Sequence, residues 1–254
     1  MKIVRFSHGQ KADYGILKED GIQGINGNPF DGFSTVQIAH RISDVHLLPP
    51  CVPSKVVAIG VNYKSHGDEM SHELPAEPII FIKPPTSVIG PEDFIIYPKM
   101  SKRVDYEGEL GVVIKTKAQN VTKEKAKNYI LGYTCLNDVT ARDLQAIDNQ
   151  WTRAKGFDTF CPIGPWIETE LDPADLLLET YLNGEVKQKT RTNMMIFNVY
   201  EIVSFVSQVM TLLPGDVIAT GTTSGIGPMK PGDTVEIKIE GIGTLRNYIN
   251  RPED

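Results

Sequence analysis

The chain has 254 residues, of which 41% are hydrophobic and 23% charged, with a formal net charge of -6. That is the composition of a globular chain forming one large domain or a large and a small one. The acidic balance, without a basic stripe interleaved with aromatics, argues against a nucleic-acid partner. No apolar run approaches the ~20 residues of a bilayer span, and Met1-Lys-Ile-Val-Arg-Phe6 lacks a signal-peptide core, so the expected compartment is the cytoplasm, with no membrane partner.

Residues 1–50 alternate short strand-like runs with turns, beginning with residues 3–6, 14–17 and 21–25. Glu19-Asp20-Gly21 is a hairpin signal. Leu48-Pro49-Pro50 reads as a linker, which predicts a small N-terminal β subdomain over 1–50 and a catalytic domain over 51–254. A strand over 56–61 runs into the polar segment Asn62-Tyr-Lys-Ser-His-Gly-Asp-Glu-Met70. Pro-rich stretches around 75–98 suggest loops and edge pieces, and 122–129 and 141–149 read as helices. The clearest helix is 199–210, with Asn198 as N-cap, Glu201 at N3, and Ile202, Phe205, Val206 and Val209 at helical spacing. Pro214-Gly215-Asp216 and Pro231-Gly232-Asp233 are turns feeding strands at 217–220 and 234–239, and Gly241-Ile-Gly243 turns into 244–249. Many strands with few helices predict a β-rich α+β fold. Cys51, Cys135 and Cys161, without C-x-x-C spacing, are expected as reduced, partly buried thiols.

The run Asp105-Tyr-Glu-Gly-Glu-Leu-Gly-Val-Val-Ile114 carries most of the chemistry. Residues i and i+2 of a strand share a face, so Glu107 and Glu109 converge, with Gly108 leaving the opposite face open to close packing. Two acids at the lip of a buried strand repel and lose hydration, so they need a cation or protons. Asp138, after the apolar stretch 129–136, adds a third carboxylate. An all-oxygen set selects Mg2+, Mn2+ or Ca2+ over zinc. On spacing alone, the pair equally fits the wet face of an edge strand.

His66 and Glu69 are three apart and would be neighbours on one helical turn, an arrangement that suits acid–base work and also fits a solvated surface pair. His8, His40, His46 and His72 read as surface or packing residues. Arg142 and Gln145 fall near one helical face after Asp138. Arg142 suits a substrate carboxylate, or else pairs with a neighbouring acid. Lys155, in a Gly-containing loop, reads as surface when taken alone. Thr220-Gly-Thr-Thr-Ser-Gly-Ile-Gly227 can offer donors to an anion but lacks the ending of a phosphate-binding loop.

Together these motifs resemble the fumarylacetoacetate hydrolase family, in its short-chain branch. The matching pieces are Gly60-Val-Asn-Tyr-Lys-Ser-His66 with Glu69, Ile82-Lys83-Pro84, Asp105-Tyr-Glu-Gly-Glu-Leu110, Asn137-Asp-Val-Thr-Ala-Arg-Asp143, Lys155-Gly-Phe-Asp-Thr-Phe-Cys-Pro-Ile-Gly164 and Thr220-Gly-Thr. The resemblance implies a mixed β-roll core and a homodimer. It implies Mg2+ or Mn2+ on Glu107, Glu109 and Asp138, a His66–Glu69 dyad on a mobile lid over 65–73, and a catalytic Lys155. It also implies substrate contacts from Arg142, Gln145 and Thr222, and leaves Lys83 without a role. Thr223 stands where the family loop carries proline. The N-terminal portion is shorter than in the hydrolase that names the family, which points away from fumarylacetoacetate itself.

The implied substrate is a small 2-oxo acid, chelated through its carboxylate and 2-oxo oxygens and reacting through an enolate. Hydrolysis of an acylpyruvate or decarboxylation of oxaloacetate is the leading expectation, because His66 with Glu69 supplies a water-activating base. A tautomerase or isomerase of the same family is the alternative. A non-catalytic binder of small acids and a structural β protein are the remaining readings.

Overall fold

A computed structural model of the chain describes residues 1–9, 11–70 and 74–252. His72 and the end of the expected lid lie outside the described residues. Three sheets account for the strands among the described residues. The largest has twelve strands. Its main path runs Gly32–His40, Gly21–Asn28, Lys11–Lys18, Lys2–His8, Cys161–Glu168, Ile130–Asn137, Gly108–Ile114, Val217–Ala219, Val56–Gly60 and Ile79–Lys83. The N-terminal hairpins therefore extend the same sheet, through Lys2 opposite Glu168 and Ile3 opposite Ile167. A five-stranded sheet (Glu185–Arg191, Leu177–Leu182, Thr234–Ile239, Gly243–Asn250, Phe94–Ile96) packs over the middle of the large one. The third sheet joins Thr140–Ala141, Val104–Tyr106 and Gly227–Met229.

The middle strands are covered on both faces, which explains their unbroken apolar runs. Every residue of Gly108–Ile114 is buried. Leu110 and Val112 pack with Leu178, Ile237, Ile239 and Leu245 of the five-stranded sheet. Val113 faces the other way, into a cluster with Ile3, Leu136, Ile163 and Val217. The three cysteines are free and buried.

The helix Val199–Val209 forms with the expected cap. Asn198 accepts from the Tyr200 and Glu201 N–H groups at 3.1 Å each, and Glu201 accepts from the Asn198 N–H at 2.9 Å. Its inward stripe is Val199, Ile202, Val203 and Val206. Val209 is 58% exposed, so the expected apolar face ends one turn early, where the helix runs past the core it covers. The expected helices after residues 122 and 141 appear as a tight 3-10 segment, Lys123–Tyr129, and a short helix, Arg142–Ile147. No helix among the described residues is long and apolar enough to cross a membrane.

Candidate active site

Glu107 sits where the chain leaves one sheet for another. Val104–Tyr106 belongs to the three-stranded sheet and Gly108–Ile114 to the twelve-stranded one, so the two glutamates are not on one continuous strand. Their carboxylates converge nevertheless. Glu107, Glu109 and Asp138 each bring an oxygen within 4.8 Å of the others, and all three residues are buried. Gly108 is required between them. A Cβ there would stand 2.1 Å from Thr180 Oγ1, so any side chain would push the five-stranded sheet away.

The three acids differ in their partners. Glu107 is held by Arg142 through Nη2 and by Lys155 Nζ at 2.7 Å. Asp138 is held by Lys83 Nζ at 2.6 Å and Lys155 Nζ at 2.7 Å. Among the described residues, Glu109 is bonded only to the Gly221 N–H, at 2.7 Å. Gly221 has φ +95°, and a Cβ would lie 2.6 Å from that of Asn62, so the loop can present this N–H only with glycine in place.

The electrostatics follow from these partners. Burial works against an ionised Glu107, but Lys155 and Arg142 outweigh it and hold the carboxyl well below the usual range. Burial, then Asp138 and Glu107, push Glu109 well above that range. Burial also opposes the charge on Lys155, which Asp138 and Glu107 restore. The residues therefore fit a hard divalent cation. Three converging oxygen donors are buried, and one of them, Glu109, is bonded to no positive group among the described residues.

The remaining expected residues gather around this trio. Arg142 lies at the start of its helix, with Nε on Asp105 at 2.9 Å, Nη1 on Gln145 at 2.6 Å and Nη2 on Glu107. Its guanidinium thus ties Glu107 to Asp105, an acid that the sequence reading did not single out. Lys155 is buried rather than on the surface. It ends the short helix Thr152–Lys155, and its ammonium also lies 5.2 Å from the centre of the Phe81 ring. Lys83, left without a role by the sequence, is wholly buried. It bonds Asp138, the Val139 carbonyl at 3.2 Å and the Lys155 carbonyl at 2.5 Å. His66, Gln145, Trp151 and Thr222 line a cleft of about 380 Å³, mouth included, above the three acids.

His66 and Glu69 share the helix Lys64–Met70. His66 Nδ1 lies 3.5 Å from Glu69 Oε2, too far for a formed hydrogen bond, and has no hydrogen-bond partner among the described residues. Burial lowers its pKa, so the imidazole is neutral near pH 7 and free to accept a proton. The other Glu69 oxygen accepts the Gly225 N–H at 3.0 Å. Ser65 Oγ meets Thr223 Oγ1 at 3.0 Å. Thr223 thus latches the His66 helix to the loop after Val217–Ala219. Replacing Thr223 with Val keeps the shape and removes one hydrogen bond worth about 1 kcal/mol. We expect a several-fold rise in KM, with kcat nearly unchanged and the melting temperature lower by about 2–4 °C at most, in steady-state and melting measurements.

Comparison with known proteins gives consistent results. Residues 55–250 match the family described as Fumarylacetoacetate (FAA) hydrolase C-terminal, and residues 1–50 match that described as Rv2993c-like, N-terminal. The chain is 38% identical to 2,4-didehydro-3-deoxy-L-rhamnonate hydrolase of Sphingomonas sp. (strain SKA58), covering 98% of this chain and 96% of that protein. It is 35% identical to the mitochondrial oxaloacetate tautomerase Fahd2a of Rattus norvegicus, covering 98% and 91%. The solved structure of 5-carboxymethyl-2-hydroxymuconate delta-isomerase from Mycobacterium smegmatis superposes with a TM-score of 0.94 at 44% identity, covering 99% and 100%.

Proposed function

Since this chain belongs to the fumarylacetoacetate hydrolase family, we propose that it is a divalent-metal-dependent enzyme that carries a small 2-oxo acid through an enolate to carbon–carbon bond cleavage. The observation that carries this reading is Glu109, a buried carboxylate beside two others that, among the described residues, is bonded to no cationic side chain. Mg2+ or Mn2+ held by Glu107, Glu109 and Asp138 would supply Lewis acidity to the substrate's carboxylate and 2-oxo oxygens, drawing off the charge that develops as the bond breaks.

The chain's own groups divide the remaining work. Lys155 and Arg142 set a positive field against the anionic substrate and fix the Glu107 and Asp138 carboxylates in place. In an acylpyruvate, neutral His66 takes a proton from water as its oxygen adds to the 4-oxo carbon. The C3–C4 bond then breaks, its electron pair stays with C3, and the proton on His66 returns to that carbon. Decarboxylation of oxaloacetate breaks the equivalent bond with loss of carbon dioxide and needs no water.

Tautomerisation is a second reading, favoured by His66 Nδ1, which has no hydrogen-bond partner among the described residues, and by the relatives named as a tautomerase and an isomerase. There His66 would move a proton between C3 and the 2-oxo oxygen without breaking a carbon–carbon bond.

The test is a product screen on oxaloacetate, acetylpyruvate and an unsaturated hydroxy-diacid, with Mg2+ and with a chelator. Cleavage products that vanish with the chelator are expected. Rearranged substrate alone would select the tautomerase, and undiminished turnover in chelator would refute both readings. Because burial disfavours the imidazolium, the acid limb of kcat/KM should lie below the ordinary histidine value of 6.5 and disappear in His66→Gln. An acid limb above 6.5, or one unchanged in that variant, would remove His66 as the base.

A further inference from the structure

Three backbone groups, the Gly108 N–H, the Gly108 carbonyl and the Thr223 carbonyl, fix the direction of the hydrogen bonds around Thr222. Gln188, buried in the strand Glu185–Arg191, takes the Gly108 N–H on Oε1 at 2.9 Å and the Thr180 hydroxyl at 2.8 Å. A backbone N–H can only donate, so the amide oxygen must lie at that end. The amide nitrogen then faces the Thr223 carbonyl and Thr222 Oγ1, each at 2.8 Å. A carbonyl can only accept, so one N–H goes to Thr223 and the other to Thr222. Thr222 Oγ1 also lies 2.9 Å from the Gly108 carbonyl, which claims its single proton. The hydroxyl has one lone pair left, and Thr222 lines the cleft.

We propose that the Gly108 carbonyl makes Thr222 a hydrogen-bond acceptor at the reacting centre and that Gln188 is the positioning residue that holds both groups in place, so that the atom facing the free lone pair is an O–H donor and not a carboxylate oxygen. The proposal rests on the 2-oxo-acid reading and deepens it. An enol hydroxyl and an attacking water both carry the O–H that this lone pair can take. The substrate's carboxylate then belongs on the side of Lys155. Gln188 acts from the five-stranded sheet. The bond that orients its amide reaches the backbone between Glu107 and Glu109, so one side chain sets both Thr222 and the Gly108 backbone.

Two Mg2+-dependent probes separate an acceptor from a donor: oxalate, which has only acceptor oxygens, and glycolate, which has a hydroxyl. Both are titrated calorimetrically into wild type, Thr222→Val and Thr222→Ser. The expectation for Thr222→Val is oxalate affinity within about twofold of wild type and a loss of about tenfold for glycolate, the worth of one hydrogen bond, restored by Thr222→Ser. Unchanged glycolate affinity with about a tenfold fall in kcat on acetylpyruvate at constant KM would place the O–H on water. A tenfold loss of oxalate affinity would make Thr222 a donor to carboxylate and overturn the proposal, as would a variant unchanged in every measurement. Gln188→Met leaves Thr222 its acceptor oxygen but frees it to turn, so it should weaken glycolate by no more than Thr222→Val does, spare oxalate and add nothing to Thr222→Val in the double variant, whereas additive losses would make Gln188 merely structural and overturn its positioning role. Wild type that binds neither probe would overturn the 2-oxo-acid reading itself, and the proposal with it.

Discussion

Glu109→Gln should lower turnover by at least about a thousandfold, on the order of 4 kcal/mol of transition-state stabilisation, while leaving the metal-free protein as stable as wild type or more so. Glutamine keeps an oxygen for the Gly221 N–H, so the loop stays in place. What disappears is a carboxylate pushed up by burial and by repulsion from Asp138 and Glu107. A carboxyl whose pKa is raised in the folded state weakens folding wherever the unfolded chain ionises it, that is, above the ordinary value of 4.5. The amide removes that cost at neutral pH, and the advantage fades as the pH falls toward 4.5. Glu107→Gln should behave oppositely, because it strips Arg142 and Lys155 of a buried partner and destabilises the fold as well as the reaction. Melting curves and chemical denaturation of the two variants without metal check this contrast. A strongly destabilised Glu109→Gln would contradict the view that this carboxylate waits for a cation.

Lys83→Met should produce the largest loss of stability of any single change near the site, about 3–5 kcal/mol. The lysine is wholly buried, and its ammonium serves the Asp138 carboxylate and two backbone carbonyls. Methionine of similar volume leaves Asp138 with Lys155 alone and both carbonyls without this donor. Because the Lys155 carbonyl is one of the two, the end of the Thr152–Lys155 helix loosens, and the Lys155 ammonium loses its fixed place. For a chain of this length such a loss lowers the melting temperature by on the order of 10 °C. Lys83→Arg should not rescue it, since a planar guanidinium does not replace a compact ammonium in a filled site. A Lys83→Met variant within about 1 kcal/mol of wild type would show that the buried cation is dispensable.

The contrast between Lys83 and Glu109 explains what could be read in the sequence. The acids announce themselves locally: two glutamates around a glycine before an apolar run, and an aspartate after another. The Asn198 cap and the Pro-Gly-Asp turns are legible for the same reason, since each is encoded within a few residues. Lys83, Asp105 and Gln188 gain their meaning from partners up to 80 residues away, across sheet contacts that no local pattern records. Lys155 read as a surface lysine on its own residues, and only the resemblance gave it a role. Its burial follows from Glu107 and Asp138, which hold the ammonium in a place that hydrophobicity alone would forbid. The sheet change at Glu107 was hidden too, because an extended chain on either side of a break has the same period of two.

The central claim is that these three carboxylates form one divalent-cation site. The most direct test is anomalous diffraction from crystals grown with Mn2+. The claim predicts a single strong peak at about 2.1 Å from one oxygen each of Glu107, Glu109 and Asp138, in the range of hard-cation coordination. No peak among them, or a cation seated elsewhere while the three side chains keep their present partners, would contradict it.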